Sequence, residues 1–332
     1  MKKLLILMML TVALKESRGQ VDPHFSQYYV YPSWLNPALT GGFDGDYKVS
    51  AIYRSQWASL NNGFKTIGVN AEMTTNKDLN IGLNVFSQST GTGYTYTDGY
   101  ASVSYTGLKF GNGGSNVIAL GLQAGVIDMR FNPSKFTVGE QWNTNTGFTG
   151  GNNSDLGNMT AKSATSFDAG AGALYYNNNP SLKFSPYVGF SASHLTQPAS
   201  DFYKGADNAR MPIRYTVHGG LAINASPGLT VTPNFLYLSQ GNAHETMVSA
   251  HAQIKAGNEL DLLAGLNYRF NDAVVPVVGL DYKNFLIGLS YDVNTSDLGK
   301  TVSNVNSFEI SLTYIFKKVR VLEEKRFTCP RL

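Results

Sequence analysis

The chain has 332 residues, of which 42% are hydrophobic and only 15% charged, with 34 glycines, 19 tyrosines and 18 phenylalanines. So many apolar and aromatic side chains exclude intrinsic disorder, and so few charges argue against a bundle of surface-charged helices. The formal net charge of +3 lends no support to a nucleic-acid partner, because Lys2, Lys3, Lys15 and Arg18 against Glu16 place all of it in the first nineteen residues.

Residues 1–19 have the layout of a secretory signal peptide. Lys2 and Lys3 form the basic start, residues 4–14 the apolar stretch, and Ser17-Arg18-Gly19 a small-residue cleavage site. After it, no apolar run approaches the 18 or so residues of a membrane-spanning helix. Residues 20–46 lack clean alternation and contain Pro23, Pro32 and Pro37 with Phe25, Tyr28, Tyr29, Tyr31 and Trp34. Aromatic area on that scale does not stay in water, so the segment is expected to dock. Tyr28, Tyr29, Tyr31 and Trp34 are its candidate contact residues.

From Tyr47 onward apolar and polar residues alternate with period two. Phe308, Ile310, Leu312, Tyr314 and Phe316 share one face of a strand, with Glu309, Ser311 and Thr313 on the other. Leu79, Ile81, Leu83 and Val85 do the same against Asn80, Gly82, Asn84 and Phe86. About fourteen such strands are predicted, over 47–58, 63–73, 79–90, 95–106, 116–129, 163–177, 183–195, 211–225, 228–239, 244–256, 259–270, 273–282, 284–293 and 306–316. Most exceed the roughly 5–6 residues of strands in soluble proteins. Ten residues at about 3.3 Å each, tilted about 40°, cover roughly 25 Å, the height of an outer-membrane apolar band. The fold class predicted is all-β: a transmembrane antiparallel β-barrel of about 14 strands over 47–316, preceded by a plug or periplasmic segment.

The connections fit that picture. Alternate ones are short, whereas 130–162, 196–210 and 294–305 are longer, as for periplasmic turns and surface loops. An even strand number returns both ends of the barrel to one side. Residues 20–46 and the tail 317–332 are therefore expected together on the periplasmic side, the first plugging the lower lumen or docking on a partner. The polar faces place Lys48, Arg54, Gln56, Asn80, Asn84, Asp168, Asn267, Arg269, Asp281, Asp292 and Glu309 in the lumen. Their mixed charge suits either a wet channel or a lumen closed by internal salt bridges.

Little points to catalysis. Of five histidines, His244 and His251 are nearest with Glu245, but a spacing of seven sets them on opposite faces of a strand, unsuited to sharing a metal. Gly170-Ala171-Gly172 lies within a strand and marks close approach of other chain or lumen contents, not a nucleotide loop. A Gly-x-Ser-x-Gly elbow is absent. The single cysteine, Cys329, excludes an intramolecular disulfide. No enzyme activity, cofactor or metal is expected.

Several short pieces are familiar together: Asp22-Pro23-His24-Phe25-Ser26-Gln27-Tyr28, Leu35-Asn36-Pro37-Ala38-Leu39-Thr40-Gly41 and Tyr53-Arg54-Ser55-Gln56-Trp57. They continue with Gly189-Phe190-Ser191-Ala192-Ser193-His194-Leu195-Thr196-Gln197-Pro198, Tyr268-Arg269-Phe270-Asn271-Asp272-Ala273, Gly279-Leu280-Asp281-Tyr282, Ser290-Tyr291-Asp292-Val293-Asn294-Thr295-Ser296-Asp297-Leu298 and Cys329-Pro330-Arg331-Leu332. In this order they resemble the PorP/SprF family of outer-membrane proteins of the type IX secretion and gliding-motility system, although Leu332 stands where that family usually ends in Phe. The resemblance implies a non-enzymatic outer-membrane barrel that anchors or helps export a secreted cargo protein through its C-terminal domain, of the type B class in SprF-like members. It also implies periplasmic ring components and a peptidoglycan-binding protein as partners, in a Gram-negative, Bacteroidota-like bacterium. Cargo is expected at the long loops, with Trp142, Phe148, Phe202 and Tyr203 as anchors. The competing expectations are a fatty-acid-transporter (FadL-like) channel for small or hydrophobic solutes and a barrel lipid hydrolase.

Overall fold

The computed structural model describes residues 22–58, 60, 63–75, 77–135, 141–148, 162–179, 181–199, 210–297, 299 and 305–317. The expected signal peptide, Phe202, Tyr203 and nearly all of the 317–332 tail lie outside the described residues. Among these described residues sixteen strands follow one another: β1 (Tyr47–Gln56), β2 (Phe64–Thr74), β3 (Leu79–Thr90), β4 (Tyr94–Phe110), β5 (Asn116–Phe131), β6 (Trp142–Asn143), β7 (Gly147–Phe148) and β8 (Ser163–Asn177). Then come β9 (Phe184–Ser193), β10 (Arg214–Ser226), β11 (Leu229–Gln240), β12 (Ala243–Lys255), β13 (Leu260–Arg269), β14 (Ala273–Tyr282), β15 (Phe285–Asn294) and β16 (Ser307–Phe316). β6 and β7 form a small ladder in the β5–β8 connection, and the other fourteen close a barrel.

Each barrel strand pairs antiparallel with its chain neighbour, and β16 returns to β1 from Tyr47↔Phe316 to Gln56↔Ser307. Closure leaves no unpaired edge, the condition for a sheet in hydrocarbon. All fourteen predicted strands are present. The largest departure is β4, which runs on to Phe110 past a register shift between Tyr105 and Leu108. That bulge interrupts the alternation, so the sequence pattern stops before the strand does.

The burial pattern is inside-out. Leu83, Leu122 and Phe167 are 60–61% exposed on the outer face, while Arg54, Asp168 and Glu309 are at most 1% exposed on the inner one. Every lumen residue predicted from the alternation is buried except Asp281, which faces inward but is only partly covered. No described helix is long and apolar enough to cross a membrane. The strands do so instead. Connections 132–162, 194–213 and 295–306 gather at one end, and short turns at the other, where β1 begins and β16 finishes. By the usual asymmetry the short-turn end is periplasmic and the long-loop end is outermost.

Leu122, midway along the outer face of β5, is a direct test of the lipid interface. Leu122→Arg should cost about 2–4 kcal/mol in a bilayer. An unchanged unfolding midpoint in vesicles would show that this face does not meet lipid.

Candidate functional site

The segment before β1 lies inside the barrel. It is built from short helical turns, Tyr28–Val30, Pro32–Leu35 and Pro37–Leu39. Pro32 and Pro37 stand at helix starts, where a missing N–H costs nothing. Asn36, made extended by the proline after it, breaks the run and accepts the Ala38 N–H at 2.9 Å.

Ser26 and Gln27 sit in a knot of charge near the long-loop end. Their N–H groups donate to the Glu309 carboxylate at 2.6 and 2.8 Å, and the Ser26 hydroxyl donates to Asp292 at 2.8 Å. Arg54 bridges Glu309 and Asp292, Arg269 donates to Asp292 at 2.5 Å, and Asn267 donates to the Ser26 carbonyl at 3.0 Å. His24 accepts from Arg54 at 3.0 Å. β1, β13, β15 and β16 thus close on two residues of the segment.

A second cluster holds Asp22. Its Oδ2 accepts from Arg214 at 2.8 Å and from His194 Nε2 at 2.7 Å, while His194 Nδ1 donates to Asp168 at 2.7 Å. Tyr100 and Thr196 also donate to Asp168. His194 has φ 59°, a left-handed backbone that these contacts hold in place. Burial alone would favour a neutral ring, but the Asp22 charge and the hydrogen bonds to Asp168 and Asp22 outweigh it, and the His194 pKa is pushed up to about 9. Against the upward push of burial, the His194 and Arg214 charges hold the Asp22 carboxyl well below the usual carboxylate range.

Further along, Asn36 donates to the Ala173 carbonyl at 3.1 Å and lies 3.1 Å from His218 Nε2. Inward glycines make the room: a Cβ at Gly172 would fall 2.0 Å from Asn36 Oδ1, and one at Gly121 would fall 2.1 Å from the Ala38 nitrogen. Phe25 packs edge-on to Trp34 and Phe86, with Tyr31 alongside. At the short-turn end the Gly41 N–H donates to Glu72, which pairs with Lys48 at 2.8 Å. Across the barrel at the same end, by the turns of β9 to β12, an open pocket of about 490 Å³ is lined by Lys183, Asn224, Thr230, Gln253 and Lys255.

Tyr28, Tyr29, Tyr31 and Trp34 are all buried; residues 20–46 are expected to plug the lower lumen or to dock on a periplasmic partner, and the described part reaches higher in the lumen than that expectation places it. Asp22 contacts the long-loop ends of β9, β10 and β11, through His194, Arg214 and Gln240. The segment therefore traverses the lumen, descending from there to β1. The physical reason is pairing: the charged inward residues able to bind it lie mostly toward the long-loop end. Of the cargo candidates, Trp142 is 56% exposed and pairs by backbone with Phe148 in the β6–β7 ladder. Phe202 and Tyr203 are outside the described residues. His251 faces inward and His244 outward, and among the described residues no metal-binding group is formed. Asp22, Ser26, Gln27, Asn36 and Arg214 were not singled out by alternation, yet most lie in the quoted sequence pieces. Those pieces meet one another across the lumen, a signal that strand patterning cannot carry.

The knot and the histidine cluster make separable predictions. Arg54→Met leaves the buried Glu309 carboxylate without its cation and Asp292 with Arg269 alone, and should cost about 3–5 kcal/mol of barrel stability, read by urea unfolding. For His194, the folded pKa is raised, so its contribution is complete below pH 6.5 and lost as pH rises through about 9. Asp22 works oppositely, its contribution present above 3.8 and fading in acid. The heat-modification midpoint should therefore fall between pH 6.5 and 9, and His194→Gln should flatten that alkaline limb. A wild-type profile without the limb would contradict the charged histidine.

Two of the solved structures that share the fold illustrate it. The Ralstonia pickettii toluene transporter TbuX aligns with TM-score 0.52 at 10% identity, over 91% of this chain and 97% of that one. The CymD monoaromatic hydrocarbon channel aligns with TM-score 0.52 at 10% identity, over 92% and 97%. At that identity the likeness is one of architecture, a closed outer-membrane-type barrel. No curated protein sequence matches the chain. A family-level match is nevertheless extensive: residues 17–314, nearly the whole barrel and the segment that fills it, fit the profile of the type IX secretion system membrane protein PorP/SprF. With the quoted pieces joined across one lumen, the chain belongs to the PorP/SprF family, an outer-membrane β-barrel of type IX secretion.

Proposed function

We propose that this barrel is a non-enzymatic, non-conducting anchor: it binds the C-terminal domain of a secreted surface protein at its outer end. Export, retention at the surface, or both would use that contact. Coupling to ring components and to a peptidoglycan-binding protein falls to the periplasmic end. The observation that carries the proposal is the occupied lumen. A segment bonded to strands around the barrel acts as a plug and leaves function to the two rims. Trp142, exposed in the longest connection, supports the outer rim as the cargo face, with Phe148, Phe202 and Tyr203 completing the proposed contact set. Large aromatic rings on a loop bury area at small entropic cost and dominate such interfaces.

Affinity purification of the tagged barrel from its own cells tests this. Wild type should retain a surface protein carrying a type IX C-terminal domain. Trp142→Ala should weaken it about tenfold or more, and deletion of 147–158 should abolish it, with heat-modifiable migration unchanged. Undiminished retention in both variants would remove this loop from the site. The architectural likeness to hydrocarbon channels favours a second reading, a transport channel for small or hydrophobic solutes. Planar-bilayer conductance separates the two. The wild-type barrel should be silent and the triple variant Tyr28→Ser, Tyr31→Ser, Trp34→Ser should conduct. Conductance by the wild type would favour the channel.

A further inference from the structure

Beside the Asp22–His194 pair lies a buried cavity of about 10 Å³, walled in part by Trp34, Asp98, Gln123 and Arg214. Each of these residues is at most 6% exposed. Each also carries one buried polar atom without a hydrogen-bond partner: Trp34 Nε1, Arg214 Nε, Asp98 Oδ1 and Gln123 Oε1. The other nitrogens of Arg214 are engaged, by Asp22 and by the Trp34 carbonyl at 2.6 Å, and its guanidinium stacks 4.6 Å from the Trp34 ring. Four residues with an unmet polar atom walling one small space are not expected of a packed interior unless something fills it.

Chemistry selects the occupant. Trp34 and Arg214 offer N–H donors, and Asp98 and Gln123 offer oxygen acceptors. A cation would satisfy the acceptors while facing two N–H groups, and an anion would do the reverse. A ligand with two hydrogens and two lone pairs satisfies all four. The volume matches one water-sized centre. We infer that this cavity is a binding site for a single water molecule, held by Trp34 of the N-terminal segment, Asp98 of β4, Gln123 of β5 and Arg214 of β10. The water ties the segment to β4, β5 and β10 at the level of the histidine cluster. It does so whether the outer rim binds cargo or not.

A crystal structure of the detergent-solubilised protein at a resolution that orders water tests the site. One density peak within hydrogen-bond distance of all four atoms is expected. It should be lost in Gln123→Leu and should weaken in Trp34→Phe, which keeps an aromatic side chain but removes the N–H donor. Both variants should also lower the heat-modification midpoint. An empty cavity overturns the inference, as does a peak that persists unchanged in Gln123→Leu. Soaking in rubidium separates the remaining source: anomalous signal at the peak would mean a cation site and overturn the water. Should Gln123→Leu fail to assemble, the wild-type peak and the rubidium soak still decide.

Discussion

An apolar outer wall forces the polar half of every strand inward, and that constraint governs the rest of this molecule. Arg54, Asp168, Arg269, Asp292 and Glu309 are carried into the lumen by nothing more than period-two alternation. Once there, a charge must be paired and hydrogen-bonded or it destabilises the fold. Neighbouring strands supply part of the answer, as in the Arg54 bridge between Glu309 and Asp292. The N-terminal segment supplies the remainder, with backbone N–H groups at Ser26 and Gln27 and side chains at Asp22 and Asn36. The segment is thus a counter-charge to the wall.

This arrangement bears on assembly. The contacts of Asp22 and Ser26 with β10 to β16 join residues 192 to 283 positions apart, so they form only when those strands have closed around the segment. Such long-range pairing makes closure and docking one cooperative event. It also explains the glycines at 121 and 172. A side chain there would occupy the space that the Asn36-Pro37-Ala38 turn needs. In a family whose members serve secretion, a lumen committed to its own N-terminus leaves the loops and the periplasmic mouth free to diversify. Those are the elements least constrained by lipid or by packing.

Much of this was legible in the chain beforehand, and the reasons are local. The strands announce themselves because hydrocarbon on one side and the lumen on the other demand alternation at every position, so Phe308 to Phe316 or Leu79 to Phe86 need no context. The bulge after Tyr105 escaped because it breaks that rule. Barrel closure, the even strand number and the inward charges follow from the same period. By itself the sequence determined the all-β membrane class, the fourteen strands and the face on which Arg54 or Glu309 would stand. It also determined that an aromatic, proline-broken segment must dock. Only the tertiary structure decided where: a pairing such as Asp22 with His194 and Arg214 joins residues 172 and 192 positions apart. No periodicity encodes it, because it depends on which strand ends the closed barrel brings around one point.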